Sequence, residues 1–189
     1  MIFARENECV AVLDACVLVP VSLCDLLLRL AEEPAIYRPR WSEEILREMS
    51  GALRTKLRRS TEEAEWRQSQ MEKAFPEAMI TVPPELLKAA ECIPDPKDRH
   101  VLAAAIMGRA NLIVTQNTKH FPQSCVEKFS VVCQTADVFL TRQYHLAPQL
   151  MLDKLDNQGA GIAKDREFVL RSLRAAAPEF VRRVESRIL

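Results

Sequence analysis

The sequence carries no excess of charge of either sign. Its 26 basic and 26 acidic residues cancel, so no global positive field draws polyanions, and any nucleic-acid binding must come from local patches. Paired metal-binding motifs are also missing. Six cysteines (Cys9, Cys16, Cys24, Cys92, Cys125, Cys133) form no CxxC and there is no HxxxH, which argues against a structural zinc site. Several of them fall in apolar runs, where a thiol acts as a small hydrophobe, so reduced, buried cysteines in a cytoplasmic protein are expected. Glycine is scarce. Gly51, Gly108, Gly159 and Gly161 make neither GxxxxGK nor GxGxxG, leaving nucleotide-driven chemistry without support. No apolar run approaches the roughly 18 residues that span a bilayer, and residues 1–8 lack the basic-then-apolar order of a secretory leader, so no membrane association is expected. Internal repeats and low-complexity tracts are absent.

What is present is alternation of strand and helix signals. Cys9 to Leu13 is a short β-branched run ending at Asp14 and reads as a buried strand. A helix from Val17 to Glu33 follows, with Leu23, Leu26, Leu27 and Leu30 at helical spacing. Ile36-Tyr37 reads as a second short strand, and Ser42 as the N-cap of a helix through Glu48, Met49 and Leu53. Ser60 or Thr61 caps another helix through Trp66 and Met71. Met79 to Val82 is strand-like, Pro84 suits the first turn of a helix, and Pro94 and Pro96 mark a loop. Asp98 to Arg109 reads as a helix with Val101, Leu102, Ala105 and Ile106 on its apolar face. Leu112 to Thr115 and Phe129 to Cys133 complete the strands. The pattern predicts an α/β fold, an α/β/α sandwich with a mostly parallel central sheet of about five strands. Beyond Thr135 it turns helical, with Val138, Leu150, Leu155, Phe168 and Leu173 as anchors, a break at residues 157–161, and Phe180, Val181, Val184 and Ile188 on one face of the last helix. The organisation read from this is a domain over 1–140 and a helical extension over 141–189 packed on it.

Asp14 directly follows the first strand, where ligands bind in open parallel sheets, although a carboxylate there also serves as a helix cap or turn residue. Asp98, three residues after Asp95, opens a helix whose small-residue run lets it lie close to the sheet, and capping explains one of the two acids. Glu44 and Glu48 share a helix face, so one of them can turn inward. Thr115 and Asn117 follow another strand end.

Together, Val12-Leu-Asp14, Ser42-Glu-Glu-Ile-Leu-Arg-Glu48-Met, Asp95-Pro-Lys-Asp98-Arg-His-Val-Leu-Ala-Ala-Ala105 and Val114-Thr-Gln-Asn117-Thr-Lys-His-Phe-Pro122 resemble the ordered motifs of PIN domains, with the nearest likeness to VapC-like toxin nucleases. The resemblance covers roughly residues 9–135. It implies a ribonuclease dependent on Mg²⁺ or Mn²⁺, with Asp14, Asp98 and Glu48 as catalytic acids and metal ligands, Glu44 and Asp95 as alternates, and Thr115 and Asn117 in support. Three converging carboxylates repel one another unless a cation compensates, which is the physical reason to expect metal dependence. Lys97, Arg99 and Lys119 beside the motifs are the expected RNA contacts, with the basic stretch from Arg38 to Arg59 as a further candidate. The resemblance also implies a cognate antitoxin and a homodimer. Many PIN domains carry an acid where this chain has Asn117 or His120, a departure that removes negative charge and with it support for a second tightly held metal. Two other readings follow from the same residues: a degenerate PIN domain that binds RNA or protein without cutting, and, far behind, a phosphoacceptor regulator using Asp14.

Overall fold

The computed structural model describes residues 9–188, the side chain of Ile188 excepted. The expectations about residues 1–8 and about Ile188 lie outside it.

Five parallel strands form one sheet: β1 (Val10–Leu13), β2 (Arg38–Ser42), β3 (Met79–Ile80), β4 (Leu112–Val114) and β5 (Val132–Gln134), in the order β3-β2-β1-β4-β5. Every crossover is helical. α1 (Ala15–Leu18) and α2 (Val21–Ala31) link β1 to β2, and α3 (Glu43–Lys56) and α4 (Thr61–Ala74) link β2 to β3. α5 (Pro84–Ala89) and α6 (Arg99–Met107) lead to β4, and α7 (Gln123–Val126) leads to β5. The central strands β1 and β4 are almost wholly buried, as expected of strands covered on both faces.

The second strand begins at Arg38, so Ile36-Tyr37 lies ahead of it. Tyr37 is instead a core anchor: its hydroxyl donates to Leu27 O at 2.8 Å and its ring meets Phe139 edge-on at 5.0 Å. Pro39 is tolerated within β2 because β3 pairs only from Trp41 onward, leaving no strand on that side to need its missing N–H. Ser42 caps α3 by accepting from Ile45 N, and Ser60 forms a capping box with Glu63 at the start of α4, resolving the choice between Ser60 and Thr61. Ala103, Ala104 and Ala105 of α6 are fully buried, which holds this helix close to the sheet.

Four more helices follow: α8 (Ala136–Leu146), α9 (Pro148–Ala160), α10 (Arg166–Leu173) and α11 (Pro178–Ile188). Lys154 Nζ donates to Glu32 O and Gln158 Nε2 to Ser22 O, fastening α9 to α2. Asp137 of α8 accepts from Glu179 N and Phe180 N at the start of α11. The expected break at 157–161 falls later, because α9 runs to Ala160. Gly159 sits inside that helix to allow close approach: a Cβ there would lie 2.7 Å from Lys164 O. Leu155 and Leu173 are buried as expected, whereas Val138 and Phe168 are exposed. Capping by Thr135 and Asp165 sets helical phases that bury Phe139 and Leu140 in α8, and Val169, Leu170 and Leu173 in α10.

The expectation of six reduced thiols is corrected by a disulfide between Cys92 and Cys125, whose Cα atoms are 5.6 Å apart. It joins the segment before Asp95 to α7. Cys9, Cys16, Cys24 and Cys133 are free.

Candidate functional site

The carboxyl ends of β1 and β4 meet because the two strands are hydrogen-bonded neighbours. Asp14 at one end is buried, and its side chain caps no helix. Instead Thr115 Oγ1, from the end of β4, donates to Asp14 Oδ2 at 2.6 Å, and Cys16 Sγ donates to the same oxygen at 3.0 Å. Both donors are themselves held. Asn117 N donates to Thr115 Oγ1 at 3.0 Å, and Gln116 N to Cys16 Sγ at 3.1 Å. Cys16 was not anticipated as a site residue; the one signal was its position two residues past Asp14, in the turn. Burial, reinforced by the charge of Asp14, pushes the Cys16 thiol up to about 12, so it stays a neutral donor rather than a nucleophile. Burial first and then Asp14 do the same to Cys133.

Asp98 stands at the start of α6 but its side chain caps nothing there; Asp95 caps the 3-10 turn Pro96–Asp98 ahead of that helix, accepting from Lys97 N. The Asp98 carboxylate bonds His120 Nδ1 at 2.8 Å across the gap to the loop after β4. Partial burial raises the Asp98 pKa above its ordinary value. The charges of Asp95 and Asp14 raise it further, while His120 works against them.

Glu44 and Glu48 are separated by their partners. Glu44, with Glu43, pairs with Arg47 on the helix surface. Glu48 Oε1 lies 3.2 Å from His100 Nε2, an ion-pair separation at an angle that misses a hydrogen bond, and the imidazole is mostly buried. Burial alone would depress His100, but Glu48, Glu44 and Asp14 outweigh it and raise its pKa. Glu44, Glu48, Lys97 and His100 line a cleft of about 810 Å³ that runs toward the β3 edge. Of the expected RNA contacts, Lys97 and Lys119 are exposed, while Arg99 is turned back, its Nε donating to Ile93 O. Within the basic stretch, Arg59 pairs with Glu63. Asn117 is exposed beside Thr115.

A family model described as PIN domain matches residues 10–119, more than half of the chain. The chain belongs to the PIN-domain family. Over 50 residues, 26% of its length, this PIN domain is 48% identical to the Mycobacterium tuberculosis protein named "Putative ribonuclease VapC50", and the match spans 30% of that relative. No solved structure matches it. The oxygen donors Asp14 and Asp98 suit a hard divalent cation. Among the described residues, however, no group of three or more His, Cys, Asp and Glu side chains is placed to hold an ion.

Proposed function

We propose that this PIN domain is a divalent-metal-dependent endoribonuclease and the toxin of a type II toxin–antitoxin pair. The observation that carries the reading is that the loop after β4 holds both acids, Thr115 donating to Asp14 and His120 bonding Asp98, at the end of the sheet where open parallel folds bind ligands. Asp14 and Asp98, with Glu48 once released from His100, would hold Mg²⁺ or Mn²⁺. Such an ion supplies charge relief on a scissile phosphate and a water of lowered pKa. Thr115 and Cys16 orient Asp14 through one oxygen and leave the other free of described hydrogen bonds. His120 orients Asp98, and Asn117 stands ready as a polar contact. Lys97 and Lys119 contribute ammonium groups for the RNA backbone. Arg99 supports this reading only through the chain segment it braces.

An apolar-walled groove of about 830 Å³ between α2 and α4, bearing the exposed Val21, Trp66 and Ile162, is where this reading seats the antitoxin segment, and a second copy of the chain is its other protein partner. The extension over 141–189 serves as a brace: Gln116 Nε2 donates to Ala176 O, tying the loop after β4 to the segment between α10 and α11. No described helix is long and apolar enough to cross a membrane, and the reading places the reaction in the cytoplasm.

The test is cleavage of single-stranded RNA by purified protein in Mg²⁺ or Mn²⁺, against EDTA and Asp98→Asn. Cleavage lost in both controls is expected; equal cleavage throughout refutes the mechanism. The pairing of Glu48 with His100 and of Asp98 with His120 favours one second reading, a PIN domain that binds without cutting. Thermal stabilisation by millimolar Mn²⁺ that vanishes in Asp14→Asn separates the two.

A further inference from the structure

The cleft beside Glu48 is wider than an acid site requires. Its volume of about 810 Å³ falls in the range of small-ligand pockets. Its far wall is aliphatic: Met79, Ile80 and Val82 from β3 and the strand's exit, and Leu87 from α5, which is 40% exposed. Its near wall carries Glu44, Glu48 and Lys97. The acids there are internally balanced, since Arg47 pairs with Glu43 and Glu44 and His100 faces Glu48, while Gln68 Nε2 donates to Glu72. Lys97 has no carboxylate partner among the described residues, so its ammonium is available at the rim.

A flat apolar-sided group with hydrogen-bond donors on its edge and a phosphate attached fits such a place. The aliphatic wall covers a ring face, the acceptor-only carboxylates receive ring and exocyclic N–H groups, and Lys97 meets the phosphate. We propose that this cleft is a substrate subsite for one unstacked base of single-stranded RNA, with guanine, which presents adjacent N–H donors, preferred. The proposal rests on the ribonuclease reading and goes beyond it by assigning the place that holds one base and the base preferred there. A duplex cannot enter, because its base edges are paired and its stacked rings offer no free face.

The test uses fluorescein-labelled single-stranded RNA with 2′-O-methyl sugars, which binds without being cut, titrated against the full chain in EDTA and in Mg²⁺. Leu87→Asp puts a charge on the aliphatic wall at an exposed position, and its thermal midpoint should match the parent. It should weaken binding about tenfold. Replacing one guanosine by an abasic nucleotide should cost the same in the parent and nothing further in Leu87→Asp, because both remove one interaction. Equal affinities for parent and variant, full additivity of the two losses, or equal binding of duplex RNA would each overturn the subsite while leaving the cleavage assay as the judge of the ribonuclease reading. An oligolysine peptide binding in a Leu87-dependent way when RNA does not would assign the cleft to a protein segment and overturn the proposal. A parent protein that neither binds nor cuts RNA overturns the ribonuclease reading, and the subsite with it.

Discussion

Replacing Thr115 by valine isolates the hydroxyl that holds Asp14. Thr115 is fully buried, and valine keeps its bulk while deleting the donor to Asp14 Oδ2 at 2.6 Å. Asp14 then retains only the Cys16 thiol, a weak donor. Two further contacts go with the hydroxyl: that with Cys16 Sγ at 3.3 Å, and the bond from Asn117 N, which matters little because that residue is exposed and water can replace Thr115. A hydrogen bond to a charged acceptor is worth about 1.5–3 kcal/mol, so the variant should lose about 2 kcal/mol, a thermal shift of about 4–8 °C for a chain of this size. Urea unfolding in EDTA, followed by circular dichroism, measures it. Thr115→Ser, which keeps the hydroxyl, should recover most of the loss. In an Asp14→Asn background the same Thr115→Val change should cost roughly half as much, since neutral pairs are about half as strong. An unchanged urea midpoint for Thr115→Val, or an identical loss in both backgrounds, would refute the claim that the hydroxyl acts through Asp14.

Glu48→Gln tests the His100 pair through pH. A histidine whose folded pKa is raised contributes stability that is complete below its unfolded value of about 6.5 and disappears as pH climbs through the folded value; the gap in thermal midpoint between parent and variant should be widest in acid and close toward alkaline pH, by scanning fluorimetry. Gly159→Ala should destabilise by about 1–3 kcal/mol, as its Cβ would meet Lys164 O at 2.7 Å, while Gly51→Ala on α3, with nothing within 4 Å, should stabilise by about 0.5–1 kcal/mol; both read in urea. His120→Asp, which replaces the partner of Asp98 with a third acid, should lower the thermal midpoint in EDTA and gain more from Mn²⁺ than the parent does. An EDTA midpoint equal to the parent's would show that His120 contributes no charge compensation.

Strands that announce themselves in a sequence are those whose own residues are apolar throughout. β1 and β4 are of that kind and were placed within a residue or so. β2 was misplaced because Arg38-Pro39-Arg40 looks like a turn; its strand character comes from neighbours on both sides, a tertiary fact. Helix phase behaved similarly. The caps Thr135 and Asp165 decide which face of α8 and α10 is buried, and a list of apolar residues cannot show that Val138 and Phe168 face away. The site divided along the same line. The strand end and the helix start direct Asp14 to Thr115 and Asp98 to His120, whereas the surroundings of Glu44 and Glu48 are set by Arg47 and His100, one local and one distant in sequence. The Cys92–Cys125 bridge joins residues 33 apart with no spacing rule to flag it.

His120 changes the meaning of a residue that sequence reasoning counted as a missing acid. In its place stands a base bonded to Asp98, and His100 faces Glu48 at ion-pair distance without a hydrogen bond, so the chain supplies internal counter-groups where a fuller acidic cluster would depend on metal for its stability. Asp14 differs, because its partners are neutral donors that orient it without cancelling its charge. The uncompensated charge at the sheet end is therefore concentrated on Asp14 and, as far as His120 allows, on Asp98, whose pKa burial raises. On the proposed reading, Asp14 and Asp98 would be the first carboxylates to hold a cation, as hard oxygen donors. Recruiting Glu48 requires separating it from a partly buried imidazole, which costs free energy unless His100 is neutral. Metal binding that draws in the third acid should therefore strengthen as pH rises through the raised His100 value, while binding to the aspartates alone should strengthen over the lower range in which Asp98 loses its proton.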